Sequence, residues 1–168
     1  MTVTSKASGS GSKPKSKPNA IVDAIDLLTQ DHADVQALFE QYEGLSDRAH
    51  ASKKKVAHKI CLELTRHATA EEEIFYPAVR ESIGEEDLVD EAIVEHAAAK
   101  DLIAQILAMD ASDELYDAKV KVLSEQIQHH VKEEENDMFP KARKSKLDLP
   151  ALGEAIKMRK AEIELPLP

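Results

Sequence analysis

Residues 67–77 read HATAEEEIFYP, and residues 130–140 read HVKEEENDMFP. Aligned residue for residue, the two stretches place His67 over His130, Glu71 over Glu134, and an aromatic residue followed by proline near the end of each. In each stretch the glutamate follows the histidine by four residues, so on an α-helix both side chains lie on one side, about one turn apart. The two stretches therefore indicate an internal repeat built on helices.

The repeat extends upstream of both stretches. Asp31 and His32 precede the first stretch, and Glu95 and His96 precede the second at nearly the same distance. From residue 19 onward the apolar residues recur at helical spacing, and no segment alternates as a half-buried strand does. Because short connections make consecutive helices antiparallel, the sequence predicts an all-α, up-down-up-down four-helix bundle.

Capping and helix-breaking residues set the predicted helix boundaries. Asn19 and Ser112 are expected to cap helices, Gly44 to end one, and Pro77 to kink or break another. The predicted helices cover residues 19–43, 49–81, 85–109, 112–140 and, as a short C-terminal helix, 150–162.

The chain divides into three predicted segments. Residues 1–18 are rich in Ser, Lys, Gly and Pro and are expected to form a disordered tail. Residues 19–145 are expected to form the bundle, and residues 146–168 the short C-terminal helix and a tail. That helix is expected to pack across one end of the bundle through Leu152, Ile156 and Met158.

Composition narrows the class of protein. The 168 residues include 22 Lys+Arg and 32 Asp+Glu, and the net charge of −10 disfavours nucleic acid and anionic membranes as partners. The single cysteine, Cys61, excludes an internal disulfide and a thiolate-rich metal site, and it is typical of a reducing compartment. No apolar run is long enough to span a bilayer and no secretion signal is recognisable, so we expect a cytoplasmic protein.

Six metal-ligating side chains are predicted to face one interior. The four predicted bundle helices each carry one histidine on the apolar side, and in two of them a glutamate follows one turn later; these residues are His32, His67, Glu71, His96, His130 and Glu134. Burying ionised carboxylates without a partner is strongly unfavourable, so a cation is expected among them. Imidazole and carboxylate ligands without thiolate favour iron or manganese, with zinc as a further candidate.

The remaining histidine, acidic and tyrosine residues near these positions indicate a role at the site less specifically. His129 and Glu133 also have the four-residue spacing, but they are one residue out of the repeat and so point about 100° away from the interior. Asp31 and Glu95 have two interpretations, as groups that orient imidazoles or help iron to enter, or as solvated surface acids. Tyr76 is expected either to pack at a helix end or to act near the site through a hydrogen bond or as an electron source.

The order His, HxxxE, His, HxxxE over four helices resembles the hemerythrin-like (HHE cation-binding) domain family. The similarity covers about residues 20–145 and includes the flanking EEEIFYP and EENDMFP, and LDLPALGEAIKMRK beyond them is also similar to that family. The resemblance implies a non-haem di-iron centre, oxo- or hydroxo-bridged when oxidised, with both carboxylates spanning the two irons. Carried over residue by residue, the implied ligands are His32, His67, Glu71, His96, His130 and Glu134.

The sequence departs from the oxygen-carrying hemerythrins. Those proteins have HxxxH on the third helix and HxxxxD on the fourth, whereas here Lys100 follows His96 by four residues and the fourth helix carries HxxxE. The four-His, two-Glu pattern is more similar to stress-responsive iron-repair members and to iron- or oxygen-sensing members. Six protein ligands for two ions leave coordination positions open for O2, NO or peroxide.

Three functions remain open from sequence alone. The first is a binding protein that binds or senses a small diatomic or peroxide ligand, or handles iron under stress. The second is a di-iron enzyme that dismutates or reduces peroxide with the same ligands. The third is a metal-free helical interaction module. The run Lys53–Lys55 is expected to be a solvated surface and not a nucleic-acid site.

Overall fold

A computed structural model describes residues 22–166, and every regular element in that range is helical. The elements are α1 (Ala24–Glu43), α2 (His50–Ala70), a first π turn (Glu71–Phe75), α3 (Tyr76–Ile83), α4 (Glu86–Ala108), α5 (Tyr116–Glu133), a second π turn (Glu134–Met138), α6 (Phe139–Lys144) and α7 (Leu149–Ala161). The first π turn joins α2 to α3, and the second joins α5 to α6. The predicted all-α four-helix bundle with a short C-terminal helix is confirmed.

Local side-chain chemistry sets the observed helix ends. Asp23 caps α1, since its carboxylate accepts from the Asp26 backbone N–H at 2.9 Å and the Asp26 carboxylate accepts from the Asp23 N–H at 3.3 Å. Helix α1 therefore starts at Ala24 and not after Asn19, which lies outside the described residues. Gly44 ends α1 as predicted. The predicted cap at Ser112 is wrong, because the turns that follow Asp110 continue to Leu115 before α5 begins.

Each π turn begins at the glutamate of an HxxxE pair. Pro77 and Pro140 follow these turns near the starts of α3 and α6, where a missing backbone N–H is tolerated. The helical residues therefore run without a gap through both prolines. In place of the predicted kink or break at Pro77, a wider π turn precedes the proline. Such π turns within helices occur frequently at functional sites.

Two apolar clusters fill the bundle. One joins the start of α1 to Phe75, Tyr76 and Phe139 around the π turns, and the other joins the rest of α1 to α2, α4 and α5 through residues such as Phe39 and Leu123. Along α1, α2 and α4, and along α5 together with the π turn that follows it, the predicted site histidine falls between residues of the two clusters. The histidines therefore form a polar layer that is closed from both ends by apolar side chains.

Helix α7 packs against α1, α2 and the first π turn. Ile156 is buried as expected, whereas Met158 is 68% exposed and does not belong to the packing surface. A Cβ added to Gly153 would lie 2.9 Å from the backbone N of Ala24, which shows how closely Gly153 approaches the start of α1. A side chain at this position would separate the two helices.

The prediction that Lys53–Lys55 forms a solvated surface is wrong for Lys53. Lys53 is buried, and its ammonium donates to Asp117 at 2.7 Å. Tyr42 donates its hydroxyl to the other oxygen of the same carboxylate at 2.6 Å. Asp117 comes from α5, so the sequence around Lys53 could not indicate this partner.

We predict that Gly153→Ala destabilises the protein by about 1–3 kcal/mol, because the new methyl group forces the backbones of α7 and α1 apart. The measurement is chemical denaturation followed by circular dichroism. Gly44→Ala is the matched control, since its added Cβ meets the nearest carbonyl oxygens at 3.6 Å and its backbone is right-handed. Equal stabilities of the two variants would contradict the close approach at Gly153.

Candidate metal centre

Four buried imidazoles meet in the polar layer between the two apolar clusters. His32 comes from α1, His67 from α2, His96 from α4 and His130 from α5. The Nε2 atoms of His32 and His67 lie 3.1 Å apart, and those of His96 and His130 lie 3.0 Å apart. The histidines therefore form two pairs, one from each half of the sequence repeat.

Two buried carboxylates lie between the pairs. Glu71 Oε2 is 3.1 Å from His67 Nε2 and 3.4 Å from His96 Nε2. Glu134 Oε2 is 3.3 Å from His32 Nε2 and 3.4 Å from His130 Nε2. Each carboxylate thus contacts one histidine of each pair. All six residues predicted from the sequence come together in this way.

Each imidazole is held from outside by a further carboxylate. The Nδ1 contacts are His32 to Glu135 at 2.9 Å, His67 to Asp31 at 3.1 Å, His96 to Glu72 at 3.0 Å and His130 to Glu95 at 2.7 Å. An ionised carboxylate can only accept, so each Nδ1 carries the proton and donates it outward. When a ring is neutral, its Nε2 lone pair is therefore directed into the centre, where it can bind a cation.

The sequence indicated only two of these four outer carboxylates. Asp31 and Glu95 were expected to act on imidazoles or to be solvated, and they contact His67 and His130 on the adjacent helices rather than their own sequence neighbours. Glu72 and Glu135 were missed. Each directly follows a ligand glutamate in a run of three, and that position, shared by both repeats, was the available signal.

The inward-facing atoms are nearly all hydrogen-bond acceptors. With the four Nε2 lone pairs directed inward, Glu71 Oε1 and Glu134 Oε2 have no hydrogen-bond donor among the described residues, although both are fully buried. Buried acceptors without donors are strongly unfavourable. Cations between the carboxylates and the imidazoles satisfy all of these acceptors at once, so the residues present fit a metal centre. Two groups of these ligand atoms share Glu71, and within each group the atoms lie within 4.8 Å of one another.

In the cation-free protein, protons must take the place of the cations. Burial alone lowers the pKa of His67, but the negative charge of Glu71 and the hydrogen bond with Asp31 outweigh it and raise that pKa to about 10. Burial raises the pKa of Glu71, yet His67 and His96 hold it well below its usual range. In the cation-free protein at neutral pH, His67 is therefore an imidazolium that faces the ionised Glu71.

Tyr76 breaks the symmetry between the two repeats. Its buried hydroxyl donates to Glu134 Oε1 at 2.7 Å and lies 3.3 Å from Glu71 Oε2. Burial and the two carboxylates raise the pKa of Tyr76 well above its ordinary value of 10, so the phenol keeps its proton. Its repeat partner is Phe139, which stacks parallel to the His32 ring at a centroid distance of 5.6 Å. Tyr76 thus hydrogen-bonds to the centre as well as packing.

An apolar cavity reaches the imidazoles. The residues that line it include all four site histidines together with Val35, Leu64, Ala99, Ile103 and Ile127. Lys100 also lines the cavity, but its ammonium donates to both oxygens of Glu72 at 2.6 Å and so strengthens the anchor of His96. The cavity leaves space beside the imidazoles for a small uncharged molecule.

The remaining histidines and the cysteine lie outside the centre. His129 is 64% exposed and contacts Glu133 at 3.3 Å, as its register predicts. His50 faces the Ala111 carbonyl, and His58 faces the Pro166 carbonyl. Cys61 is a buried free thiol whose pKa is raised to about 12 by burial.

The fold and the site together define a helical-bundle cation-binding protein. Residues 23–142 match the family model of the hemerythrin HHE cation binding domain. The chain belongs to that family.

Two individual proteins are similar to this chain. A hemerythrin HHE cation binding domain-containing protein from Mycobacterium kansasii has the same fold, with a TM-score of 0.72, 23% sequence identity and coverage of 84% of this chain and 86% of that chain. A protein from Nostoc sp. described as a DNA nickase is 32% identical over 114 residues, which span 68% of this chain but 32% of that protein.

Among residues 22–166, no helix is long and apolar enough to cross a membrane.

We predict that Glu72→Gln weakens cation binding by about 10- to 100-fold, because the amide is a weaker acceptor for the His96 Nδ1–H and loses the pairing with Lys100. Competition with a chelator measures the affinity. Glu73→Gln is the control, since the neighbouring Glu73 pairs with Arg159 on the surface. Equal affinities in the two variants would contradict a role for Glu72 behind His96.

A second prediction concerns pH. In the cation-free protein the His67 pKa is about 10 when folded, against 6.5 for an ordinary histidine. Protonation of His67 therefore stabilises the folded, cation-free protein. This contribution to the free energy of unfolding is fully present below about pH 6.5 and is lost as pH rises through about 10. A bound cation displaces the proton, so the loaded protein has no such loss. We expect the difference in melting temperature between loaded and cation-free protein to widen from pH 7 to pH 10 in calorimetry; a narrowing difference contradicts the assignment.

Proposed function

We propose that the chain is a hemerythrin-like non-haem di-iron protein that binds or senses a small oxidant, namely O2, NO or peroxide, or handles iron under stress. The proposed ligands are His32, His67, Glu71, His96, His130 and Glu134. The observation that carries the proposal is the convergence of inward-facing acceptors, with one buried oxygen of each glutamate left without a donor.

The arrangement of the acceptors favours two cations. Each half of the repeat supplies two imidazoles, and both carboxylates contact both halves. Carboxylates that reach two histidine pairs suit the bridging of two ions, as in other di-metal helix bundles. Imidazole and carboxylate ligands without thiolate suit iron ahead of manganese or zinc.

Two iron ions in this centre would supply redox change and coordination positions that the six protein ligands leave open. The protein's own groups would then bind, orient and protect. The four outer carboxylates fix the imidazoles with Nδ1 protonated, and Tyr76 holds a proton at its hydroxyl beside Glu134. The cavity beside the imidazoles is lined mainly by apolar side chains, which suits O2 or NO better than the more polar peroxide.

The alternative is an enzyme that dismutates or reduces peroxide at the same centre. The buried phenol of Tyr76 favours this candidate, since it places a hydrogen-bond donor 2.7 Å from a proposed ligand, where it could stabilise a peroxide. Sustained peroxide turnover that disappears together with iron in His67→Ala would favour the enzyme, whereas a stable adduct without turnover would favour the binding protein.

Two further functions are set aside. A metal-free interaction module leaves the buried acceptors unexplained, and it requires that chelators leave the melting temperature unchanged. The net charge of −10 disfavours a polyanionic partner, so the nicking activity named for the Nostoc relative is not part of the proposal.

We predict that Glu134→Ala loses most of the tightly held iron, because it removes the carboxylate that contacts His32 and His130. Bound iron should also raise the melting temperature of the unaltered protein, and this rise should be lost in the variant. Iron per chain after desalting and the melting temperature are measured on variants whose helix content is unchanged.

The control for this experiment is His129→Ala, which removes an exposed histidine of the same helix. It should keep the iron of the buried centre. Equal loss of iron from His129→Ala and His130→Ala would show that the proposed ligand register is wrong.

A further inference from the structure

Glu95 faces both the buried centre and the solvent. Its Oε2 accepts from His130 Nδ1 at 2.7 Å, and its Oε1 lies 3.5 Å from His129 Nε2. The same His129 nitrogen lies 3.3 Å from Glu133 Oε1. One imidazole and two carboxylates therefore meet on the surface of α4 and α5, with ligand atoms within 4.8 Å of one another. These three residues are termed the outer cluster.

The sequence repeat provides an internal comparison for Glu95. Its counterpart is Asp31, which holds His67 through one oxygen at 3.1 Å. The other oxygen of Asp31 is paired with the ammonium of Lys160, which α7 brings to this position. In the first half of the repeat, a cation therefore lies on the outer side of the carboxylate that orients a site histidine.

The second half has no such ammonium or guanidinium. Within residues 22–166, no lysine or arginine forms an ion pair with Glu95. The side chains present there instead are His129 and Glu133, both of which are metal-ligand types. The position beside Glu95 that corresponds to the Lys160 ammonium is thus bordered by Glu95, His129 and Glu133, whose side chains are of types that bind cations.

The geometry suits an exchangeable ion. His129 and Glu133 are one turn apart on α5, and Glu95 projects from the adjacent α4, so two packed helices position the three ligands. The side chains are 64%, 39% and 23% exposed for His129, Glu133 and Glu95, which leaves room for water to complete the coordination. An imidazole with two carboxylates binds divalent transition metals such as Zn²⁺.

We propose that Glu95, His129 and Glu133 form a solvent-facing site for a divalent transition-metal cation, which takes beside Glu95 the place that Lys160 takes beside Asp31. Glu95 is then shared between this ion and His130. The site contains none of the six proposed buried ligands, so its presence and the presence of the buried centre are measured separately.

The experiment titrates the iron-loaded, desalted protein with Zn²⁺ by isothermal calorimetry and by equilibrium dialysis, with iron quantified in the same samples. The unaltered chain should take up one Zn²⁺ beyond its retained iron. His129→Ala and Glu133→Gln should each weaken this uptake by about tenfold or more, comparable to the loss of a metal-site partner. Both variants should keep the retained iron of the unaltered chain.

Two further variants sharpen the result. His129→Lys places an ammonium beside Glu95, as Lys160 does beside Asp31, and should abolish the uptake of Zn²⁺ while keeping the iron. His50→Ala removes an exposed histidine from α2, remote in sequence from the outer cluster, and should leave Zn²⁺ uptake unchanged.

The proposal is overturned if no Zn²⁺ binds beyond the iron, if His129→Ala leaves its affinity unchanged, or if His50→Ala weakens it equally. Zn²⁺ uptake that depends on His129 in a chain that retains no iron would support the outer site and at the same time contradict the proposed di-iron function.

Discussion

The buried carboxylates of Glu71 and Glu134 impose the constraint on which the other features of the bundle depend. Buried carboxylates need positive charge close by, and the nearest side chains are four imidazoles whose Nε2 atoms also face inward. Protons can meet this need, as the raised pKa of His67 in the cation-free protein indicates. Metal cations meet it for all the acceptors together. The apolar clusters on either side keep water away, so the polar layer must satisfy its own charges.

The internal repeat explains both the symmetry of the centre and its departures. Each half contributes two histidines, one buried glutamate that contacts both histidine pairs, and two outer carboxylates, which gives the centre its approximate two-fold arrangement. The differences lie around it: Tyr76 donates a hydrogen bond where Phe139 stacks, and Lys160 from α7 pairs with Asp31 where Glu95 faces solvent. The two halves thus differ in a buried hydroxyl donor at the centre and in the outer partner of a carboxylate that holds a site histidine. These differences give the two proposed metal positions unequal surroundings.

Much of this arrangement could be predicted from the sequence because it is local. The HxxxE spacing and the apolar sides of the helices determine which six side chains face inward, whatever the details of packing. The outer carboxylates could not be predicted in the same way. Asp31 adjoins His32 in sequence but contacts His67, since the partner is decided by how α1 and α2 pack. In the runs of three glutamates, charge alone does not indicate that Glu72 reaches His96. Lys53 was missed for a similar reason, because its partner Asp117 comes from a distant helix.

The most direct test of the central claim is the metal content and absorption spectrum of the chain after anaerobic reconstitution with ferrous iron and exposure to air. We expect about two irons per chain, one for each histidine pair, and a charge-transfer band that appears on oxidation. The absence of bound iron, or a single zinc retained in its place, would contradict a di-iron centre even though the bundle itself is correct.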